Sequence, residues 1–353
     1  MSPVTYHIAV LPGDGIGVDV TVEAVRVLEA VASALPELGL TFSEVSVGAG
    51  EYLKSGDPLP ESAYEACKKA DAVLLGAMGL PEVRWADGKE MTPQIDLRER
   101  LDLYAGWRPI YLYADSDTPL KGYEAGQIDF LLMRENTEGL FAARLNASRP
   151  SDDEARDTMS ITRKGSERIC RAAFEQAMKR RKKVTLVDKA NVLPSMVFFR
   201  EVFDLVAADF PDVATERTYV DAAALFLVQR PETFDVIVTE NMFGDILSDL
   251  AAGLVGGMGM APSGDIGDDY AVFQPSHGTA PDIAGKGIAN PIATILSAAM
   301  MLEWLGSPAA LEGVAMINQA VTKVLTDSSN RTPDMGGKRT TQEMGQIVID
   351  SLT

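Results

Sequence analysis

Asp245 and Asp249 lie four positions apart in the stretch Glu240-Asn-Met-Phe-Gly-Asp-Ile-Leu-Ser-Asp249. On a helix this spacing stacks both carboxylates on one face, a turn apart. Exposed like charges so placed cost about 0.2–0.5 kcal/mol, and more where water is excluded. A hard divalent cation, Mg²⁺ or Mn²⁺, reverses that sign because carboxylate oxygens are its preferred ligands. The alternative is an N-capping Asp245 beside a solvated Asp249. Arg98, Arg108 and Arg134 form a second group, since a guanidinium fork grips a carboxylate in an oriented, bidentate way. Taken singly, each also fits an ordinary surface or ion-paired arginine. Lys189 ends an apolar segment, where a solvated lysine is equally ordinary. The motif His277-Gly-Thr-Ala-Pro-Asp-Ile-Ala-Gly-Lys-Gly-Ile-Ala-Asn290 is dense in glycine and small residues. Such residues let backbone N–H groups approach phosphates or an adenine edge.

The elements that must position these groups follow from periodicity. Phe234 to Thr239 is apolar and β-branched and reads as a buried strand. Ile246, Leu247, Leu250 and Leu254 then recur at helical spacing, so a turn at Gly244 leading into a helix is expected. His7 to Leu11 reads as a strand, Pro12 to Gly17 as a glycine turn, and Glu23 to Ala34 as a helix. Gly13-Asp-Gly-Ile-Gly17 lacks the G-x-G-x-x-G spacing of a dinucleotide fingerprint. Ala72–Gly76, Ile128–Met133 and Val184–Val187 read as buried strands, the last two leading into Arg134 and Lys189. Helices are expected over Ser166–Lys179, Met196–Val206 and Pro291–Leu305. The cations Lys179 to Lys183 suit a helix C-terminus. Residues 144–166 lose apolar periodicity, and a loop this long is either disordered or functional; Pro262 to Val272 reads as a linker. The alternation of strands and helices is that of a layered α/β protein.

Composition narrows the functions. At 353 residues the chain is long enough for two domains, and 24% charged with 46% hydrophobic residues is globular. A net charge of −19 argues against nucleic acid as partner. An anionic substrate must therefore find a local arginine cluster. Cys67 and Cys170 do not suggest a disulfide framework, so a reducing cytoplasm is expected. No apolar run reaches membrane-spanning length and no signal layout opens the chain, so no membrane partner is expected. His7 and His277 are the only two histidines, which excludes multi-histidine zinc chemistry.

Asn-x-Phe-Gly-Asp-Ile-Leu-Ser-Asp around the aspartate pair resembles the signature of the metal-dependent β-decarboxylating dehydrogenases, the isopropylmalate and isocitrate dehydrogenase family. Leu11-Pro-Gly-Asp-Gly-Ile-Gly17, Lys189-Ala-Asn191, Tyr219-Val-Asp-Ala-Ala223, the 277–290 motif and Thr332-Pro-Asp-Met-Gly-Gly337 extend the likeness over essentially the whole chain. It implies an isopropylmalate dehydrogenase-like two-domain α/β fold that is not a Rossmann fold, with mixed sheets flanked by helices. Residues 1–103 and 257–353 would form a large nucleotide-binding domain. Residues 104–256 would form a smaller central one, with an intersubunit arm around 141–165. The activity implied is oxidation of a small anionic 2-hydroxy acid bearing a C3 carboxylate, of the 3-isopropylmalate kind, with NAD⁺ as acceptor and loss of CO₂.

The resemblance also implies roles. Asp245 and Asp249, with Asp221 of the partner subunit, would hold Mg²⁺ or Mn²⁺ in a homodimer with shared active sites, or a tetramer of such dimers. Lys189, contributed by the partner chain, would be the general base or proton relay, and proximity to a cation would lower its pKa. Arg98, Arg108 and Arg134 match the arginines that grip substrate carboxylates. His277, Gly278, Thr279, Ala280, Asp282, Asn290 and Asp334 match the cofactor loops. An acid at Asp282 accepts from ribose hydroxyls and repels a 2′-phosphate, which favours NAD over NADP. Thr92 and Gln94 fall where the substrate's side group is recognised. Isopropylmalate enzymes present a leucine pair at the positions of Gln94 and Ile95, and isocitrate enzymes a serine and an asparagine at those of Thr92 and Gln94. This chain is mixed, with Met91 and Ile95 apolar and Thr92 and Gln94 polar. D-malate, tartrate, isocitrate and homoisocitrate therefore stand as alternative substrates, and a non-catalytic regulatory subunit as the alternative class. At Phe141 the family usually has a tyrosine that protonates the enolate carbon, and a phenyl ring has no proton to give.

Overall fold

Strands and helices alternate along the chain in the computed structural model, which describes residues 4–145, 148–151 and 153–353. The chain divides into two compact units, Met1–Leu101 with Gly256–Thr353, and Asp102–Val255. The first segment runs β1 (Val4–Gly13), α1 (Ile16–Ala34), β2 (Leu38–Glu44), α2 (Ala49–Ser55), α3 (Glu61–Lys69), β3 (Ala72–Ala77) and α4 (Pro93–Arg100). The central unit runs β4 (Ala105–Tyr111), β5 (Asp129–Glu135), β6 (Ser148–Ser151), β7 (Glu154–Arg156), α5 (Arg163–Met178) and β8 (Lys183–Asp188). It continues with α6 (Pro194–Ala207), β9 (Ala214–Tyr219), α7 (Val220–Gln229), β10 (Val236–Thr239) and α8 (Asn241–Ala252). The chain returns to the first unit with β11 (Pro262–Ile266), β12 (Ala271–Pro275), α9 (Ile292–Leu305), α10 (Pro308–Thr326) and α11 (Thr341–Asp350).

In the two-segment unit the strands lie in the order β2-β1-β3-β12-β11. All neighbours are parallel except the β11–β12 hairpin. Helix α9 is buried along almost its whole length against β11, β12 and β3, which explains why its Met- and Ala-rich sequence carries no polar face. The glycine turn after β1 is set by close approach. Gly13 has φ +71°, and a Cβ there would stand 1.9 Å from the carbonyl oxygen of Ala77. Between these glycines, buried Asp14 accepts backbone N–H bonds from Ala49 (2.7 Å), Gly50 (2.7 Å) and Gly79 (2.8 Å). One carboxylate thus ties the turn to the start of α2 and the segment after β3.

In the central unit the order is β4-β5-β10-β8-β9, with only β4–β5 antiparallel. Ile110, Phe130, Leu132, Ile237, Leu247 and Ala251 lie in its core under α7 and α8. The β4–β5 register sets Arg108 opposite Leu132 and Gly106 opposite Arg134. Arg108 and Arg134 are thereby diagonal neighbours on the face that carries Ile110, Phe130 and Leu132.

Several sequence expectations are corrected. Pro262 to Val272 is no linker: it forms most of the β11–β12 hairpin, whose ten strand residues are all buried. Asp265 on β11 is buried because Arg98 and Gln274 donate to it, whereas Asp268 and Asp269 lie exposed between the two strands. Helix α1 begins at Ile16 rather than Glu23, with Gly17 inside it. The basic run after α5 serves side chains rather than the helix dipole. Arg180 bonds Asp129 (2.6 Å) and Asp235 (2.9 Å), and Lys183 pairs with Glu216. The segment expected as an arm contains the antiparallel pair β6–β7, with β7 exposed throughout. Asn146, Ala147 and Asp152 of that segment lie outside the described residues. Among the described residues no helix is long and apolar enough to cross a membrane.

Candidate active site

Helix α8 starts at Asn241, not after Gly244, and its N-cap is Glu240. The buried Glu240 carboxylate accepts from the N–H groups of Phe243 (2.7 Å) and Met242 (3.1 Å). Burial raises its pKa against the pull of those bonds. The N-capping reading of Asp245 therefore fails, because that position is already filled. The helix buries Phe243, Leu247 and Ala251, while Ile246 is 60% exposed and belongs to the solvent face. Gly244 sits inside the helix because Arg134 crosses it. A Cβ at Gly244 would lie 2.7 Å from both Cβ and Cγ of Arg134. Gly244→Ala is expected to gain helix propensity but displace Arg134, for a net loss of about 1–2 kcal/mol. A denaturant midpoint equal to or above that of the parent chain would refute the contact.

Arg134 is 3% exposed and held on three sides. Its Nε and Nη2 donate to Oδ1 of Asn241 (3.0 and 2.7 Å), and its Nη1 bonds Asp245. Asp249, one turn on, is exposed. Its pKa is raised, first by partial loss of water around the carboxyl and then by the Asp245 charge. The cations Arg108 and Arg134 oppose that rise. The central unit thus brings together four of the expected residues, Arg108, Arg134, Asp245 and Asp249. Two mutually repelling carboxylates on one helix face form an all-oxygen donor pair that fits Mg²⁺ or Mn²⁺.

Lys189 and Asp221 form a separate pair in the same unit. Lys189 Nζ donates to Asp221 Oδ1 at 2.5 Å, and this bond holds the Asp221 carboxyl below its ordinary pKa. Lys189 follows Asp188 at the end of β8. Asp188 is fully buried and clamped by Arg200 through bonds of 2.8 and 2.7 Å. Asp221 opens α7. Among the described residues no three His, Cys, Asp or Glu side chains of one chain gather as a metal site. The partner shown for Asp221 is Lys189.

In the two-segment unit Arg98 is buried on α4 and bonds Asp265 Oδ2 through Nε (3.3 Å) and Nη2 (3.0 Å). Thr92 is the N-cap of α4, and its carbonyl accepts from Ile95 N at 2.9 Å. Gln94 stands one turn before Arg98, with its Oε1 buried and unpartnered. The loop of His277, Gly278, Thr279 and Ala280 packs on the start of α1. Ile16 N donates to the Thr279 carbonyl at 2.8 Å, and Ala280 holds φ +36°. Imidazole Nδ1 of His277 lies 2.9 Å from the Gly278 carbonyl, while its Nε2 is buried without a partner. Burial lowers the His277 pKa and keeps the ring neutral. Asn290 Nδ2 donates to Asp334 (3.2 Å), and Asp334 also acts electrostatically on His277. His277, Asn290 and Asp334 are therefore neighbours, whereas Asp282 lies on the exposed turn after Ala280. An orphaned neutral imidazole beside a backbone loop is suited to the edge of a nucleotide base.

Sequence reasoning missed Asn241, Glu240, Asp265, Asp188 and Asp14. Glu240 carried a local signal, an acid just ahead of a helical apolar stripe, and Asn241 and Asp14 stand inside the quoted motifs without a readable role.

The profile of the isocitrate/isopropylmalate dehydrogenase family matches residues 7–348. The 3-isopropylmalate dehydrogenase of Moorella thermoacetica is 46% identical, with 98% of this chain and 99% of that protein covered. The enzyme of that name from Aquifex aeolicus is 42% identical over 98% of this chain and 97% of its own. The crystal structure of isocitrate dehydrogenase from Methylococcus capsulatus superposes with a TM-score of 0.89 at 38% identity, covering 98% of this chain and 99% of that one. From the fold, the site residues and these likenesses together, the chain belongs to the isocitrate/isopropylmalate dehydrogenase family of oxidoreductases.

Proposed function

We propose that the protein oxidises a 2-hydroxy acid bearing a carboxylate on C3, with NAD⁺ as acceptor and Mg²⁺ or Mn²⁺ as metal, and with loss of CO₂. The observation that carries this reading is the pairing of buried Arg108 and Arg134 with the Asp245–Asp249 carboxylates in one unit. Arg108 and Arg134, with Arg98, orient the substrate carboxylates so that one reacting geometry is favoured. When bound, NAD⁺ supplies the hydride acceptor and the divalent cation supplies positive charge that favours loss of the hydroxyl proton and of CO₂. Lys189 takes that hydroxyl proton, with Asp221 holding its Nζ in place. As the family resemblance implies, Lys189 and Asp221 serve the site of the partner subunit in a homodimer, the tetramer being an open extension of it; the bond between the two groups supports their acting as a pair. His277, Gly278, Thr279, Ala280, Asp282, Asn290 and Asp334 bind the nucleotide. The buried thiols of Cys67 and Cys170 suit a reducing cytoplasm.

For the substrate's side group, the relatives' names favour 3-isopropylmalate. One observation favours a polar group instead. The buried Gln94 Oε1 lacks a donor, and such an orphan costs about 1–3 kcal/mol until something donates to it. Arg98 lies on the same helix face one turn later, so a hydroxyl on a substrate held by Arg98 would meet that oxygen. NADH formation and CO₂ release with Mn²⁺ against 3-isopropylmalate, D-malate, tartrate, isocitrate and homoisocitrate decide the matter. Turnover with matched CO₂ is expected for one of them. In the Gln94→Leu variant, kcat/KM should move towards 3-isopropylmalate by about tenfold or more. Silence of the parent chain across the panel would sink the catalytic reading in favour of a regulatory subunit.

A further inference from the structure

Phe141 opens a short 3₁₀ turn, Phe141–Leu145, and its ring centroid lies 4.9 Å from Arg134 Cζ. This contact has a visible cause in the local chain. Asn241, whose Oδ1 takes two N–H bonds from Arg134, donates through Nδ2 to the Glu138 carbonyl at 3.0 Å. Gly139, at φ +77°, lies so close to the start of α8 that a Cβ would stand 2.7 Å from Glu240 Oε2 and 3.2 Å from Asn241 Cβ. Upstream, Glu135 accepts from Thr137 N (2.9 Å), Thr137 Oγ1 (2.7 Å) and Glu138 N (2.7 Å), which closes the turn between β5 and Phe141. One asparagine thus anchors both the guanidinium and the turn that carries the ring.

We propose that Phe141 is a positioning residue for Arg134. Two edges of the guanidinium are fixed by Asn241 and Asp245, and neither restrains tilting out of its own plane. An aromatic face within about 6 Å supplies that restraint and attracts the cation without using a donor. The guanidinium of Arg134 is thereby held in one orientation, the orientation in which it would meet a carboxylate. The phenyl ring does this without a hydroxyl, so its part in the site is to hold a binding group and not to move a proton. The inference rests on the proposed reading that Arg134 grips a substrate carboxylate.

The test uses Phe141→Leu and Phe141→Tyr in the full-length protein, with three readouts. The first is the Arg134 Nε–H resonance in ¹⁵N-arginine-labelled protein, assigned through Arg134→Lys. It should lose its ring-current shift in the leucine variant and keep it in the tyrosine variant. The second is calorimetric binding of malonate with Mn²⁺ present, which should weaken by about 3–10-fold in leucine only. The third is steady-state kinetics on whichever acid is turned over. There, the leucine variant should lose mainly in KM and recover it with tyrosine, a split that general loosening of the fold would not give. An unchanged Nε–H shift with unchanged malonate affinity in Phe141→Leu overturns the proposal. So does a leucine variant whose KM is intact while tyrosine accelerates CO₂ release, because position 141 would then act on the proton alone. Failure of the dehydrogenase reading looks different: no acid is oxidised, whereas the resonance shift still reports the contact.

Discussion

Lys189→Met and Asp249→Asn, each nearly inactive alone, are expected to restore about one quarter of the parent activity when their subunits are mixed and allowed to exchange. The methionine variant keeps the length of the lysine but can neither take nor donate a proton. It should lower kcat by about 10²–10⁴-fold, the usual range for removal of a general base. The two defects lie in different groups of the central unit, the Lys189–Asp221 pair and the carboxylate pair on α8. If each site takes its aspartates from one chain and its lysine from the other, a mixed dimer holds one site with both and one with neither. Random exchange makes about half the dimers mixed, which gives the quarter. Activity that stays at the residual level of the two separate variants would mean that each chain completes its own site.

Asp249→Asn is also expected to separate metal binding from folding. In the metal-free protein the charged form of Asp249 is disfavoured by lost hydration and by Asp245. Removing that charge should leave the melting temperature unchanged or slightly higher, by about 0.2–0.5 kcal/mol in stability. Mn²⁺ at a hundred times its dissociation constant should stabilise the parent chain by about 2.7 kcal/mol. For a protein of this size that is on the order of 5 °C. The asparagine variant should show little of this rise. An undiminished rise would remove the aspartate pair from the metal site. A lower melting temperature before any metal is added would show that Asp249 stabilises the fold directly.

How much could be read in advance differs between local and distant order. Strand-then-helix order around Lys189, Arg134 and the aspartate pair was legible, because burial on sheets and helix faces writes a period into the apolar residues. The fold family was legible from the motifs, and of the candidate residues they named, Arg108, Arg134, Asp245 and Asp249 come together in the central unit. Two elements were misread for one reason. The β11–β12 hairpin and the start of α8 are full of Gly, Asp, Asn and Glu, which ordinarily mark turns and linkers. Here their polar groups are satisfied by partners far away in sequence. Asp265 meets Arg98 across 167 residues, and Asn241 meets Arg134 across 107. No window of sequence contains both members of such a pair. The three backbone donors gathered by Asp14 were hidden in the same way, since N–H groups have no residue signature at all.

The two cysteines have a practical consequence. Cys67 on α3 belongs to the two-segment unit and Cys170 on α5 to the central one, and both thiols are buried. Burial pushes the Cys67 pKa up to about 12 and raises that of Cys170 as well. Neither sulfur can react as a thiolate while its surroundings stay closed. Each unit therefore carries its own built-in stopwatch. The rate at which an alkylating reagent labels each cysteine, read by mass after proteolysis, times the opening of one unit independently of the other.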